Sequence, residues 1–264
     1  MQRHVGHVVI ESIAAESPKF TASLVFVHGL WCTASVWRKF MGFFAHRGWT
    51  SIALNLRGRA GSETPVTLGA VCLADYLNDV HQVLAACEAP PVLVGHDLGG
   101  LLALASVSEA RAVIALTPLL PRNLTTTANR ALSPWRARLA MAWSRPLPPP
   151  RGRIGAAYFG IDPPSGTTPD SGHVAHELAR GEISVPAAGD TPTLILAGAA
   201  DPFVQPSDVE RLANQIGAHF RCVAGATHAM PWEPGWEQRV AEIHRWLIQT
   251  LGEGLLLPRE EDEA

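Results

Sequence analysis

Short runs of β-branched and aliphatic residues alternate along this chain with longer stretches whose apolar positions recur every three or four residues. SLVFVHG (23–29), TSIALNL (50–56), PPVLVGH (90–96), RAVIALT (111–117), TPTLILAG (191–198) and HFRCVAG (219–225) have the length and content of buried strands. Between and after them, helical spacing predicts helices over Ser35–Arg47, Ala74–Glu88, Leu98–Ser108, Pro206–Ile216 and Pro234–Leu251. Strand and helix alternating in this way make a parallel sheet with helices on both faces, and the six runs are the parallel strands. VGHVVIESI near the amino end alternates only in places and is expected as one antiparallel strand at the sheet edge.

The alternation fails between Leu119 and Gly189. Pro146, Pro148, Pro149, Pro150, Pro163, Pro164 and Pro169 interrupt that stretch, yet it also carries Trp135, Trp143, Tyr158 and Phe159. So many large aromatic residues need a packed environment. The expectation is a lid of short helices over the carboxyl edge of the sheet, where open α/β sheets bind ligands. The chain then divides into a first core part (1–118), the lid (119–189), a second core part (190–254) and a solvated acidic tail (255–264) ending in PREEDEA.

Composition narrows the partners. With 264 residues and 47% hydrophobic content there is ample material for one large core. A formal charge of −3 excludes reliance on a basic field, so neither nucleic acid nor an anionic membrane surface is expected as partner, and a small hydrophobic substrate is. Cys32, Cys72, Cys87 and Cys222 form no CxxC pair and no disulfide framework, so they read as free thiols in a reducing compartment. With no signal-peptide core and no apolar span of about 18 residues, a cytoplasmic protein is expected. A homodimer is compatible with all of this.

The most informative local pattern is Gly95-His96-Asp97-Leu98-Gly99-Gly100, which follows an apolar strand and opens a helix. This is the spacing of a nucleophile elbow, a strained strand-to-helix turn whose central side chain projects at the helix amino end. Glycines two residues to either side let strand and helix approach closely. The central residue is Asp97 rather than serine. Downstream, Gly198-Ala199-Ala200-Asp201 and, 27 residues on from Asp201, Ala226-Thr227-His228 supply an acid and a histidine on loops after strands.

Together with His28-Gly29-Leu30-Trp31 and Arg57-Gly58-Arg59-Ala60-Gly61-Ser62, these segments resemble the α/β-hydrolase superfamily over nearly the whole chain. The resemblance implies the α/β-hydrolase fold, with HGLW as the oxyanion loop and the order nucleophile, acid, histidine. A carboxylate at the elbow is similar to the epoxide hydrolases and haloalkane dehalogenases. Attack on an ester would give a mixed anhydride, whereas attack on an electrophilic sp3 carbon gives an alkyl-enzyme ester that water hydrolyses. Carried over, Asp97 is the nucleophile, His228 activates water, Asp201 orients His228, and the N–H groups of Leu30 and Leu98 form the oxyanion hole. Trp31 and Tyr158 are the expected substrate-contacting residues. No cofactor and no metal are implied.

The pattern departs from each subfamily. Epoxide hydrolases carry a proline where this chain has Trp31, and they use two lid tyrosines, whereas the tyrosines here are Tyr76, in a core helix, and Tyr158. Haloalkane dehalogenases cradle halide from the positions held here by Leu30 and Leu98, and fluoroacetate dehalogenases place arginines where Leu98 and Leu101 stand. Epoxide hydrolysis is therefore the first expectation and dehalogenation the second. A lyase, cyclase or lactone-opening enzyme with Asp97 as base stays open, as does a binding module that only holds a small ligand. His28 and His96 read as buried supports, and His173 and His176, three apart in the lid, as surface or pocket lining rather than metal ligands.

Overall fold

A computed structural model describes residues 1–64, 66–121, 139–140, 142–160, 164–180 and 183–256. Trp135, Pro163 and the PREEDEA tail lie outside the described residues. Eight strands form one sheet in the order β1-β2-β4-β3-β5-β6-β9-β10. They are β1 (Gln2–Val5), β2 (Val8–Ile13), β3 (Leu24–Val27), β4 (Ser51–Asn55), β5 (Val92–His96), β6 (Ala112–Leu116), β9 (Thr193–Gly198) and β10 (His219–Val223). From β4 to β10 neighbouring strands run parallel, so all six expected parallel strands are present.

The amino-terminal edge differs from expectation. It is a hairpin of two strands, because Gly6, at φ 58°, turns the chain between β1 and β2, which pair antiparallel. β2 then pairs antiparallel with β4. Strands β3, β4, β5, β6 and β9 are buried along their whole length, as their unbroken aliphatic runs require of a sheet covered on both faces.

The covering helices are α1 (Arg38–His46), α2 (Leu73–Ala85), α3 (Leu98–Ala105), α6 (Pro206–Ile216) and α7 (Trp236–Leu251). α6 begins with Pro206 in its first turn and ends at Gly217 in the left-handed conformation, both standard helix punctuation. The chain after α7 stays packed beyond residue 254: Leu255 is buried and Leu256 bridges Phe20. Among the described residues no helix is long and apolar enough to cross a membrane.

The segment between β6 and β9 contributes a two-stranded ladder, β7 (Pro146–Leu147) with β8 (Asp170–Ser171), and two helices, α4 (Gly152–Phe159) and α5 (Gly172–Arg180). Tyr158 and Phe159 of α4 are buried while Trp143 is exposed, so the aromatic content of this insertion is divided between packing and surface.

Candidate active site

The site is built on the turn between β5 and α3. Asp97 sits at φ 54°, ψ −119°, a conformation that costs a non-glycine residue on the order of 1–3 kcal/mol. Three backbone hydrogen bonds hold it there: Asp97 N–H to Leu116 O, and Leu101 N–H and Leu119 N–H to Asp97 O. The flanking glycines are obligatory by contact. A Cβ on Gly95 would lie 2.1 Å from Gly99 O, and one on Gly99 would lie 2.2 Å from Val27 O.

The structure brings Asp97, His228 and Asp201 into one buried line. His228 Nδ1 lies 2.9 Å from Asp201 Oδ2, and its Nε2 lies 3.3 Å from Asp97 Oδ1. Asp201 Oδ1 in turn accepts the N–H groups of Phe203 and Val204, which fixes the carboxylate at the head of its loop. Both oxygens of Asp97 are placed, and differently. Oδ2 accepts Leu30 N–H at 2.8 Å and the Tyr158 hydroxyl at 2.7 Å. Oδ1 accepts no well-formed hydrogen bond and faces His228. Gly29 permits this fit, since a Cβ there would stand 2.7 Å from Asp97 Oδ2.

Electrostatics follow from the arrangement. Burial alone would raise the Asp97 carboxyl, but the imidazole of His228 beside Oδ1, with His96 and Leu98 N–H, outweighs it and holds the group below its usual value. Burial would likewise lower His228, yet the two carboxylates raise it to about 10. Tyr158 is pushed well above its ordinary value by burial and by the Asp97 charge, so it stays a donor. His96, brought down to about 4 by burial and His228, is neutral, and its Nε2 is 2.7 Å from His228 O. His28 is lowered to about 3 by burial and Arg59; its Nε2 accepts Leu56 N–H and its Nδ1 lies 2.8 Å from Gly29 O. Both histidines contact backbone groups of the loops around Asp97.

Trp31 is held at φ 60° with its indole N–H on Leu147 O of the insertion and its ring edge-on to Tyr158. Its backbone N–H donates to Asp170 Oδ2 at 3.0 Å. Asp170 is the centre of a network that sequence reasoning did not find. It forms an ion pair with Arg59, with both side chains fully buried, and it also accepts from the Tyr76 hydroxyl and Ser171 N–H. Arg59 reaches Tyr76 and Arg57 O as well. Thus Tyr76, expected only as a core-helix residue, joins the insertion to the loop after β4.

The side chains of this line do not reach solvent: those of Asp97, His228 and Asp201 are 0% exposed, and Tyr158 beside them is buried as well. An open cleft of about 420 Å3 lies on another side of α4, between Ala156, Phe159 and Gly160 and the loops carrying Pro202, Thr227 and Trp232. Neither Asp97, Trp31 nor Tyr158 lines it. Trp232 closes the wall between, its indole N–H on Phe159 O and its ring against His96. Among the described residues no three His, Cys, Asp or Glu side chains converge as metal ligands, and His173 lies 3.9 Å from Glu177.

A mostly parallel eight-stranded sheet with a strand-to-helix elbow at Asp97, followed in chain order by an aspartate and a histidine that meet it, is a hydrolase-type fold. The chain belongs to the alpha/beta hydrolase family, whose model matches residues 24–243. Among solved structures it is similar to the monoacylglycerol lipase of Paleococcus ferrophilus, with 19% identity and a TM-score of 0.70 over 91% of this chain and 99% of that one. A soluble variant of the monoglyceride lipase of Saccharomyces cerevisiae is similar at 16% identity and a TM-score of 0.70, over 95% of this chain and 94% of that one. E-2-(acetamidomethylene)succinate hydrolase is similar at 20% identity and 0.65, over 94% and 98%. At such identities the likeness concerns the fold. No curated protein matches the chain.

Proposed function

We propose that the protein is a cofactor-free hydrolase in which Asp97 attacks an electrophilic sp3 carbon of a small hydrophobic substrate, in the manner of an epoxide hydrolase. The observation that supports this most is the unequal placement of the two Asp97 oxygens. Oδ1 has its lone pairs free to attack. Oδ2, already on Leu30 N–H, becomes the carbonyl oxygen of the resulting ester and keeps its donor while charge develops during hydrolysis. An ester substrate would instead need that N–H for its own carbonyl oxygen, and Asp97 occupies it. On this reading the chain shares the fold of the lipases it resembles but not their substrates.

In the second half of the reaction, His228, oriented by Asp201, takes a proton from water attacking Cγ of Asp97. The insertion acts as a lid, since no substrate reaches Oδ1 until Tyr158 and α4 move. A haloalkane dehalogenase-like reaction shares the nucleophile and is the second reading.

Intact mass spectrometry of His228→Gln with a panel of epoxides, alkyl halides, lactones and esters at about pH 6 tests the reading, with Asp97→Asn as control. Loss of the base stalls hydrolysis, so an adduct on Asp97, absent from the control, is expected. Turnover by wild type with no adduct in the variant would assign Asp97 the role of base instead.

A further inference from the structure

The insertion holds Trp31 at three points. Its N–H donates to Asp170 Oδ2 at 3.0 Å, its C=O accepts Thr168 N–H at 3.0 Å, and its indole N–H donates to Leu147 O at 3.0 Å. Trp31 is the third residue of a turn that Cys32 N–H closes on Gly29 O at 3.3 Å, and its φ of 60° is the region such turns ordinarily give to glycine. The strain is relieved if the Leu30–Trp31 peptide rotates, which returns φ to negative values and exchanges the directions of Trp31 N–H and Leu30 O. Leu30 is the residue about which that peptide turns, and its own N–H is the donor to Asp97 Oδ2.

Asp170 opposes the rotation twice over. It accepts the N–H that would be withdrawn, and its charge would face the carbonyl that took its place. Burial would raise the Asp170 carboxyl, but Arg59, with Trp31 N–H and Ser171 N–H, holds it below its usual value, so it has no proton to offer a carbonyl. The Tyr76 hydroxyl, 2.9 Å from Asp170 Oδ1, ties the carboxylate to α2 as well.

We propose that Asp170 is a positioning residue for the second half of the reaction: by fixing the Leu30–Trp31 peptide it keeps Leu30 N–H aimed at Asp97 Oδ2. The inference rests on Asp97 as nucleophile. The Leu30 donor acts with opposite sign on the two steps. In the resting site it stabilises the Asp97 anion and so restrains attack. In hydrolysis, water gives a proton to His228, hydroxide adds to Cγ of the ester, and the carbonyl electron pair moves onto Oδ2, where the same N–H stabilises it. Collapse re-forms the carbonyl and expels the alkoxide, which takes the proton from His228; the Asp97 carboxyl then gives up the proton that ring opening consumed. Misplacing Leu30 N–H therefore spares or speeds ester formation and slows ester hydrolysis, whereas general damage to the fold slows both.

The test follows both steps by time-resolved intact mass with styrene oxide in wild type, Arg59→Met and Arg59→Met/Asp170→Ala. Arg59→Met breaks the ion pair but leaves Asp170 on Trp31 N–H, so both steps are expected to stay within about threefold of wild type. In the double variant, ester formation is expected to hold or rise while hydrolysis falls by about 10²-fold, so that ester accumulates. Equal losses in the two steps, or hydrolysis as fast as in Arg59→Met, overturn the proposal. Arg59→Met/Asp170→Asn serves if the alanine variant does not fold. Its single amide oxygen cannot meet both Trp31 N–H and Ser171 N–H, and a loss of at least about fivefold confined to hydrolysis is expected; no such loss overturns the proposal. The Leu30 amide gives a reading without substrate. Its hydrogen exchange, measured by NMR relative to Val94 of β5, is expected to quicken at least about tenfold in the double variant and not in Arg59→Met. Equal exchange in the two also overturns the proposal. No ester in any of these proteins, nor in His228→Gln, overturns the nucleophile instead, and the Leu30 exchange then decides alone whether Asp170 positions the loop.

Discussion

Replacing Asp170 by Asn removes one charge from a fully buried pair and leaves the shape nearly unchanged. Arg59 would then keep Arg57 O at 3.1 Å, the Tyr76 hydroxyl at 2.9 Å and at most a neutral amide oxygen as partners, with no anion beside it. Stranding a buried charge costs about 3–5 kcal/mol, a large share of the roughly 5–15 kcal/mol that stabilises a domain. At about 2–4 °C per kcal/mol for a chain of this general size, the melting midpoint falls by roughly 6–20 °C. Arg59→Met is expected to cost less, near about 3 kcal/mol, because Asp170 keeps donors from Trp31, Tyr76 and Ser171. The double variant removes both charges and is expected to be more stable than Asp170→Asn alone. Urea unfolding of the four proteins, with m-values compared, measures each term. A cost for Asp170→Asn under about 1 kcal/mol, or strict additivity in the double variant, would refute the claim that this pair ties the insertion to the core.

Two further outcomes are expected. His228 titrates higher folded, at about 10, than its ordinary unfolded value of about 6.5, so its contribution to stability is complete below about pH 6.5 and is lost as pH rises through about 10. The urea midpoint therefore declines over that window, and in His228→Gln the decline disappears; an unchanged slope would show that another group is responsible. Asp97→Ser vacates the Leu30 N–H for a substrate carbonyl while retaining His228 and Asp201, and is expected to hydrolyse p-nitrophenyl acetate about 10²-fold faster than wild type. A folded variant no faster than wild type would show that the occupied N–H is not what bars esters.

The parallel strands were legible because β3, β5 and β6 are covered on both faces and so carry the apolar runs LVFV, VLV and AVIAL. The elbow was legible for a steric reason, since Gly95 and Gly99 each press against backbone and admit nothing larger. The edge hairpin was missed because β1 is mostly exposed and its polar residues show no alternation to read. The Arg59–Asp170–Tyr76 network left no local trace at all. Its members lie 94 and 111 positions apart along the chain, each unremarkable in its own segment, and only the packing of β8 against the loop after β4 gives them a common address. An aspartate within the proline-rich insertion was the one signal on offer, and a single carboxylate there does not announce a buried partner. Asp97, Asp201 and His228, by contrast, follow strand ends whose positions the apolar runs already fixed.

The Tyr158 hydroxyl on Asp97 Oδ2 also bears on how strongly any ligand can hold this protein. A hydrogen bond to a charged group contributes about 1.5–3 kcal/mol, so if that contact alone favoured the shut form, the receptive form would be roughly 1–8% of the population. Observed affinity falls by the same fraction, about one to two powers of ten below the intrinsic value. Removing the hydroxyl should therefore tighten binding even as it slows reaction. Weak apparent affinity is then a property of the resting contact, and says nothing against the fit between pocket and substrate.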